Sequence, residues 1–203
     1  MTHRYRQLRK AGSAPNAGLQ QYSAIPEALV CALPESLELH EVASLPLSIT
    51  LAAAGLYQRH HLNLPLPRTR PEKSEDGEEH DKEAILIING ASEIGALATR
   101  LANASGVRVL ATASKADVNF ATSLGASLVV DDDDPSAARA ELTAALSKGA
   151  VQLSGIFDTR STEQSFTLIE TLLQDIAQSP KVCAVRPPAC PPRSFVPTVG
   201  EFP

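Results

Sequence analysis

The segment Ile85–Gly95 carries the residues whose types and spacing could do chemistry. A run of apolar, largely β-branched residues is followed by a turn of small residues, and helical apolar spacing begins at Ile94. After the first strand of a parallel sheet, such a turn lies at the carboxyl edge, where backbone amides and the positive end of the helix dipole point outward. The turn is therefore predicted to hold a pyrophosphate group.

Two glycines of this turn match part of the dinucleotide-binding fingerprint. Gly90 and Gly95 stand at its first and third glycine positions, and Ser92 replaces the middle glycine. Gly95 would allow close packing of the helix on the strand, and either Gly90 or Asn89 would adopt the unusual backbone conformation of the turn. We predict that the cofactor-binding residues of the turn are Asn89, Gly90, Ala91, Ser92 and Gly95. A tight turn in an α/β core without a ligand is the alternative.

The end of the second predicted strand bears on the choice of cofactor. A chain that binds an unphosphorylated dinucleotide usually places an acid there to bind the ribose hydroxyls. Ser114 and Lys115 stand there instead and offer a donor and a positive charge, which suit a 2'-phosphate. The sequence thus favours NADP(H) over NAD(H), with a solvated lysine at a strand end as the alternative.

Alternating strand and helix patterns position these residues. The predicted strands are Ala84–Ile88, Val107–Thr112, Ser127–Val130, Val151–Phe157 and Lys181–Val185, and the predicted helices are Ile94–Ala104, Asp117–Leu124, Pro135–Leu146 and Ser161–Ala177. Because parallel neighbours need helical crossovers, this alternation predicts an α/β fold with a Rossmann-like, doubly wound parallel sheet over residues 84–186. The proline-rich tail, residues 187–203, contains too many prolines for continued sheet pairing, so the fold is expected to end near residue 186.

The first 83 residues have a different pattern. Residues 1–20 lack periodicity and are predicted to be a flexible segment. Residues 21–62 are predicted to contain two short strands, a turn and two helices. The predicted elements are strands Gln20–Ala24 and Ala28–Leu33, a turn at Pro34–Leu37, a helix from His40 that stops before Pro46, and a helix Leu47–His60. Residues 63–83 are charged and proline-punctuated, which predicts a linker loop.

Composition excludes several kinds of partner. A formal charge of -5 and an aromatic share of 4% without tryptophan argue against nucleic acid. No apolar run approaches the length of a membrane span, and the first residues lack the apolar core of a signal peptide, so no membrane partner and a cytoplasmic location are expected. Early basic residues leave organellar import as an alternative. Three cysteines at no ligand spacing argue against structural zinc and for a reducing compartment.

Seven short segments together resemble one enzyme superfamily. They are Gly18–Pro26, Leu33–Leu37, Glu41–Leu47, Ala52–Leu56, the Asn89–Gly95 turn, Ser123–Ala126 and Gly155–Asp158. Their order is that of the medium-chain dehydrogenase/reductase superfamily. The chain looks most like the zinc-independent quinone-reductase branch, and within it the fungal reductases that include the trans-acting enoyl reductases of polyketide synthases. The resemblance covers roughly residues 17–186.

The resemblance implies a GroES-like catalytic domain, of which residues 21–62 would be a remnant, beside the Rossmann-like domain. Such enzymes bind NADPH between the two domains and transfer hydride to an enoyl, quinone or carbonyl group of a small molecule, including an acyl chain on a polyketide synthase. Carried over, the turn residues would face the pyrophosphate, Ser114 and Lys115 the 2'-phosphate, and Asp158 the nicotinamide side of the cleft. Zinc is not expected, no catalytic residue is assigned, and a monomer or homodimer is implied.

Some residues depart from the family pattern. A threonine that commonly contacts the nicotinamide is replaced by Leu51, with Thr50 one step earlier. Asp132 and Asp133 stand where many NADPH-binding relatives carry Tyr and Arg, and these carboxylates would repel a 2'-phosphate. Relatives also extend beyond the match at both ends. The alternative function is therefore a catalytically inactive remnant that at most binds dinucleotide or acts as an interaction module.

Other enzyme classes fit the sequence poorly. The turn also resembles that of short-chain dehydrogenases, but these need a downstream Tyr and Lys four residues apart, and every tyrosine precedes the turn. A metal hydrolase is not supported, because His60 and His61 are adjacent and cannot share one helix face. A serine hydrolase would need a nucleophile elbow, which the sequence lacks.

Overall fold

The computed structural model describes residues 4–6, 21–22, 24–67, 83–148, 151–176, 178–185 and 198–199. Two compact units are distinguished, one over residues 1–50 and the other over residues 51–202. The predicted linker falls mostly outside the described residues, and the domain boundaries drawn from composition stay a prediction.

The first unit contains a small antiparallel pair of strands. Strand β1 (Arg4–Arg6) pairs with β2 (Val30–Ala32), and a 3-10 turn, Glu27–Leu29, precedes β2. The predicted strand near Ala28 is thus confirmed in shortened form, whereas β1 lies in the segment that we expected to be flexible. The strand predicted over 20–24 is wrong for the residues described there, which include Tyr22 with 86% of its surface exposed.

Two helices follow in the places expected, with different boundaries. Helix α1 is Leu39–Val42 and helix α2 is Leu45–Tyr57, so α2 crosses from the first unit into the second. The prediction that Pro46 lies just after the first helix and outside the second was wrong. Pro46 is the second residue of α2, a position that tolerates proline because amides of the first helical turn have no intrahelical partner.

The second unit contains the predicted parallel sheet. Its strands are β3 (Glu83–Ile88), β4 (Arg108–Ala113), β5 (Leu128–Asp131), β6 (Gln152–Asp158), β7 (Lys181–Ala184) and β8 (Thr198–Val199). Its helices are α3 (Glu93–Ala104), α4 (Val118–Ser123), α5 (Pro135–Lys148) and α6 (Glu163–Ile176). The strand order is β5-β4-β3-β6-β7-β8, and each neighbouring pair is parallel. The α/β, Rossmann-like fold class is confirmed.

Both faces of the sheet are covered, which explains the continuous apolar run of β3. Successive side chains of a strand point to opposite faces. Leu86 and Ile88 pack into a core with α5 and α6, whereas Ile85 and Ile87 pack into a second core with α3 and the end of α2. All four side chains are almost completely buried. A doubly wound sheet is therefore the arrangement that keeps this strand away from water.

The end of the chain differs from expectation in one respect. We predicted that the prolines after residue 186 would prevent further sheet pairing, yet β8 pairs in parallel with β7, with Thr198 opposite Cys183. The two paired residues are not prolines, so both retain the amide that a sheet ladder requires. Two residues are enough to extend the sheet.

Candidate functional site

The strand order creates a crevice at the carboxyl edge of the sheet. From β3 the chain crosses to β4 and then β5 on one side, whereas β6 lies on the other side of β3. In open α/β sheets, the crevice at such a reversal of strand order is where ligands bind. The turn Asn89–Ser92, between β3 and α3, lies at this point.

The turn is held against β4 by its backbone. Asn89 has φ 60°, so Asn89, and not Gly90, adopts the left-handed conformation, one of the two alternatives that the sequence left open. The Asn89 amide donates to Thr112 Oγ1 at 3.0 Å, and the Gly90 amide donates to the Thr112 carbonyl oxygen at 2.7 Å. The turn is therefore fixed in place with few side chains of its own.

Ser92 caps helix α3. Its hydroxyl donates to the Asn89 carbonyl oxygen at 2.8 Å and accepts the Gly95 amide at 3.0 Å. The serine that replaces the middle glycine of the fingerprint thus turns its side chain into the turn, and it satisfies one of the free amides at the helix start. Gly95 is needed for this geometry, because a Cβ there would collide with the Asn89 carbonyl oxygen and lie 2.9 Å from Gly90 Cα.

The turn leaves a donor set that fits a diphosphate. The first backbone amide that donates within the helix is that of Ala96, which donates to the Ser92 carbonyl oxygen. The amides of Glu93 and Ile94 come before it and have no acceptor within the helix. Ala91 and Ile94 are partly exposed and Glu93 is exposed, so this end of α3 is open to solvent. The Glu93 carboxylate stabilises the helix dipole but would repel an anion at the same end.

Thr159 is a contributor that the sequence analysis missed. It follows β6, and its hydroxyl donates to the Ile88 carbonyl oxygen at 2.8 Å and lies 3.1 Å from Ser92 Oγ. Thr112, in β4, holds the turn from the opposite side. The two threonines therefore fix the turn between β4 and β6. Hydroxyl residues near the carboxyl ends of strands were the sequence signal that could have identified both.

Ser114 and Lys115 lie beyond the end of β4, as predicted, but beside carboxylates. The Ser114 hydroxyl donates to Asp117 Oδ2 at 2.7 Å, and the Lys115 amide donates to Asp133 Oδ2 at 3.1 Å. Lys115 itself is exposed. A phosphate bound here would meet the Lys115 ammonium group and two acids, so the predicted role of both residues stays a prediction.

Asp158 lies completely buried at the carboxyl end of β6. Its Oδ1 accepts the amides of Arg160 and Ser161, both at 3.0 Å, and its Oδ2 accepts the Ser165 hydroxyl at 2.7 Å. Burial raises the pKa of this carboxyl group above its ordinary value, an effect that the three hydrogen bonds oppose. Both oxygens are engaged inside the protein, so Asp158 positions the loop after β6, and its predicted contact with a cofactor stays a prediction.

A buried thiol lies close to this carboxylate. Cys183 Sγ is 3.3 Å from His61 Nδ1. Burial and the negative charge of Asp158 raise the pKa of the Cys183 thiol to about 12, while burial and the neighbouring His60 lower the pKa of His61. Both groups are therefore held neutral, which suits the core and does not suit nucleophilic chemistry.

A second network crosses the same edge of the sheet. Thr112 Oγ1 donates to Asp132 Oδ2 at 2.8 Å, and Arg160 Nη2 lies 3.0 Å from the same oxygen. Asp132 is 5% exposed, so its charge is compensated by the guanidinium group and the hydroxyl. Spacing along the chain gave no indication of this pair.

Thr50, the neighbour of Leu51, forms a hydrogen bond within its own helix. The Thr50 hydroxyl donates to the Pro46 carbonyl oxygen at 2.6 Å, within α2. Within the described ranges, no group of three His, Cys, Asp or Glu side chains could hold a metal ion, and the expectation that zinc is absent stays a prediction. Among the helices of those ranges, none combines the length and apolar character that crossing a bilayer requires.

The chain is similar to known proteins in sequence and in fold. No family model matches the chain. The chain is 43% identical to the trans-enoyl reductase himH of Aspergillus japonicus over 121 residues, which are 60% of this chain and 33% of the relative. It is 30% identical to the dehydrogenase azaJ of Aspergillus niger over 187 residues, 89% of this chain and 51% of the relative. The chain thus spans between a third and a half of the length of these relatives.

Solved structures agree in fold. A member of the alcohol dehydrogenase superfamily from Novosphingobium aromaticivorans superposes with a TM-score of 0.60 at 22% identity, over 80% of this chain and 41% of that one. The quinone oxidoreductase of Thermus thermophilus, described also in complex with NADPH, superposes with a TM-score of 0.57 at 23% identity. The superposition covers 83% of this chain and 46% of that one. Over the matched residues this chain is therefore similar in sequence to fungal proteins named trans-enoyl reductase and dehydrogenase, and its fold is that of the solved alcohol dehydrogenase superfamily member and quinone oxidoreductase, in agreement with the resemblance described from the sequence.

Proposed function

We propose that this chain binds a nicotinamide dinucleotide at the carboxyl edge of its parallel sheet, with the diphosphate on the turn Asn89–Ser92 and the start of α3. The observation that carries the proposal is the turn itself, which is fixed by Thr112, Thr159 and the Ser92 cap. At the start of α3, Glu93 is exposed and Ile94 is partly exposed. The solved relative in complex with NADPH supports the choice of ligand class.

The charge of Glu93 gives a direct test of where the ligand binds. Replacing Glu93 with glutamine is expected to tighten NADPH binding about threefold to tenfold, because a like charge about 4 Å from a phosphate costs about 1 kcal/mol even in water. The same change should lower thermal stability slightly, since it removes an acid from the positive end of a helix. Calorimetric titration and thermal unfolding measure the two effects.

Glu141→Gln is the matched control, because Glu141 is an exposed acid in the middle of α5. It should leave NADPH affinity unchanged. Equal affinities for the wild type and Glu93→Gln would show that the ligand lies away from this helix start. Absence of measurable NADPH binding by the wild type would refute the proposed function itself.

The proposed preference is for NADP(H) over NAD(H), and it depends on Lys115. A charge-assisted contact with the 2'-phosphate is worth about 1–3 kcal/mol. Lys115→Ala should therefore weaken NADPH binding by that amount and leave NADH binding nearly unchanged. Titrations with both coenzymes measure the ratio. Arg108→Ala, at the opposite end of the same strand, is the control. Equal weakening of both coenzymes would identify Lys115 as a solvated strand end.

The proposed activity is hydride transfer from the bound dinucleotide to an enoyl, quinone or carbonyl group of a small molecule. The similarity to the trans-enoyl reductase himH favours an enoyl substrate. The family resemblance implies an acyl chain on a polyketide synthase as one such substrate. The chemistry would be that of the cofactor, and this chain would supply position and polarity.

A dinucleotide-binding protein without turnover is the second candidate. It is favoured by the engagement of the buried groups near the turn, because both oxygens of Asp158 accept hydrogen bonds from the chain itself and the Cys183 thiol is held neutral. Loss of NADPH absorbance that depends on an added enoyl thioester would support the reductase. Saturable NADPH binding without such loss would support the second candidate.

A further inference from the structure

The residue pair Arg160–Asp132 lies across the crevice in which the dinucleotide is proposed to bind. Asp132 follows β5 and Arg160 follows β6, and in the sheet these two strands are separated by β4 and β3. With neighbouring strands about 4.8 Å apart, three spacings amount to about 14 Å, so the contact has to pass over the carboxyl ends of β4 and β3. The guanidinium group therefore lies above the edge from which the Asn89–Ser92 turn rises.

A continuous chain of polar contacts links this ion pair to the turn. Arg160 Nη2 lies 3.0 Å from Asp132 Oδ2, which accepts the Thr112 hydroxyl at 2.8 Å, and the Asn89 amide donates to that hydroxyl at 3.0 Å. Three hydrogen-bond lengths thus separate the guanidinium group from the first amide of the turn.

The backbone of Arg160 is anchored, and its side chain is partly exposed. The Arg160 amide is held by Asp158 Oδ1 at 3.0 Å, so the Cα atom is anchored to the buried end of β6. The side chain is 26% exposed, whereas the Asp132 side chain is 5% exposed. A change of rotamer would bring the guanidinium group to a new acceptor without moving the loop.

We propose that Arg160 is a phosphate-binding residue that Asp132 holds in the absence of ligand, and that a bound diphosphate takes the guanidinium group over from Asp132. A guanidinium group pairs with phosphate through parallel N–H···O bonds, and a diphosphate carries more negative charge than one carboxylate. Asp132 then acts as an internal competitor that lowers the affinity for the ligand. This inference rests on the proposed function, since it assigns one more contact to the same ligand.

If a bound diphosphate takes Arg160 over from Asp132, substitutions of these two residues should change NADPH affinity in opposite directions. Arg160→Gln should raise the dissociation constant of NADPH about tenfold, the effect of losing one charge-assisted hydrogen bond. Asp132→Asn keeps an acceptor for Thr112 but releases the guanidinium group, and it should lower the dissociation constant about threefold. Both variants should unfold at a lower temperature than the wild type, because each breaks a largely buried ion pair.

The double variant separates exchange from simple repulsion by the Asp132 charge. In the Arg160→Gln background, Asp132→Asn should lower the NADPH dissociation constant less than it does in the wild type, because no guanidinium group remains to be released. Equal gains in both backgrounds would overturn the proposal, as would an Arg160→Gln variant that binds like the wild type or an Asp132→Asn variant that binds no better. Arg139→Gln, which breaks an ion pair with Asp175 between α5 and α6, is the control and should not change affinity.

Inorganic diphosphate separates this inference from the proposed function. If the wild type binds diphosphate and Arg160→Gln does so about tenfold more weakly, while neither binds NADPH, the role of Arg160 stands and the dinucleotide site fails. If NADPH binds equally to the wild type and to Arg160→Gln, the site stands and the role of Arg160 fails. If the wild type binds neither ligand, both fail.

Discussion

Replacing Gly95 with alanine is expected to destabilise the second unit by about 1–3 kcal/mol and to abolish most dinucleotide binding. The added Cβ would collide with the Asn89 carbonyl oxygen and lie 2.9 Å from both Gly90 Cα and Ser92 Oγ. Two of these atoms belong to the backbone of the turn, so the turn has to move away from α3, at the cost typical of an overpacked core. The gain of about 1 kcal/mol from placing alanine in a helix offsets part of this cost.

The effect on binding should exceed the effect on stability. Moving the turn breaks the Ser92 cap and changes where the amides of Glu93 and Ile94 point, so the NADPH dissociation constant should rise at least about tenfold, as for a lost charge-assisted contact. Chemical denaturation gives the stability, and titration at a temperature where the variant is folded gives the affinity.

Gly55→Ala is the matched control for a helical glycine. A Cβ at Gly55 would lie 2.7 Å from Cζ of the buried Phe157 ring, so this change should also destabilise the fold, but it leaves the turn untouched. Normal NADPH affinity in Gly55→Ala and loss of it in Gly95→Ala would connect binding to the turn. If Gly95→Ala binds NADPH like the wild type, the diphosphate does not rest on this turn.

Removing the Asp158 carboxyl group is expected to have the largest effect on stability. Asp158→Ala leaves the amides of Arg160 and Ser161 without their acceptor inside the protein, whereas the Ser165 hydroxyl keeps the Thr162 carbonyl oxygen at 2.9 Å. Each buried group left unsatisfied costs about 1–3 kcal/mol. The loss should be about 3 kcal/mol or more, measured by chemical denaturation. Asp158→Asn should cost much less, because its amide oxygen accepts both N–H groups and its NH₂ group donates to Ser165 Oγ.

The pH dependence of stability tests the state of this carboxyl group. Its pKa in the folded chain is raised above the ordinary 3.8, mainly by burial. As the pH rises from 3.8 toward the raised pKa, the unfolded chain loses this proton while the folded chain keeps it, so the contribution of Asp158 to stability falls. Above the raised pKa both states are ionised and the contribution is constant.

Asp158→Asn isolates this contribution because it removes one titrating group and keeps the shape. The free energy of unfolding of the wild type minus that of Asp158→Asn should therefore decrease as the pH rises through this range. A difference that stays constant, or that increases with pH, would show that the hydrogen bonds outweigh burial and that the pKa is not raised.

The sequence indicated the sheet well and the small elements poorly. Strand β3 was identified because it is buried on both faces and Ala84–Ile88 is a continuous apolar run. Residues 20–24 resembled a strand by composition, but a strand also needs a neighbour, and Tyr22 is left exposed. The two-residue strand β8 gave no signal, because its pairing with β7 depends on where the tail returns in space.

Within the candidate site, the sequence located the turn and the tertiary structure decided its contacts. Gly95 and the small residues before it were recognised because the backbone conformation of a turn restricts the local residue types. Thr159 and Arg160 follow a different strand, 64 or more residues along the chain from Gly95, and no local pattern connects them to the turn. Their contacts exist because the parallel sheet brings the carboxyl ends of β3, β4, β5 and β6 to one edge.

What the sequence by itself determined is the alternation of strands and helices from β3 to β7 and the glycine turn after β3, since both follow from burial and backbone conformation within short segments. Which side chains meet above that turn was decided only by the tertiary structure. Asp132 and Arg160 are 28 residues apart in the sequence, and their charges face each other because the sheet places β5 and β6 on opposite sides of the β3–β4 pair. Electrostatic attraction depends on distance in space, which a linear sequence does not contain.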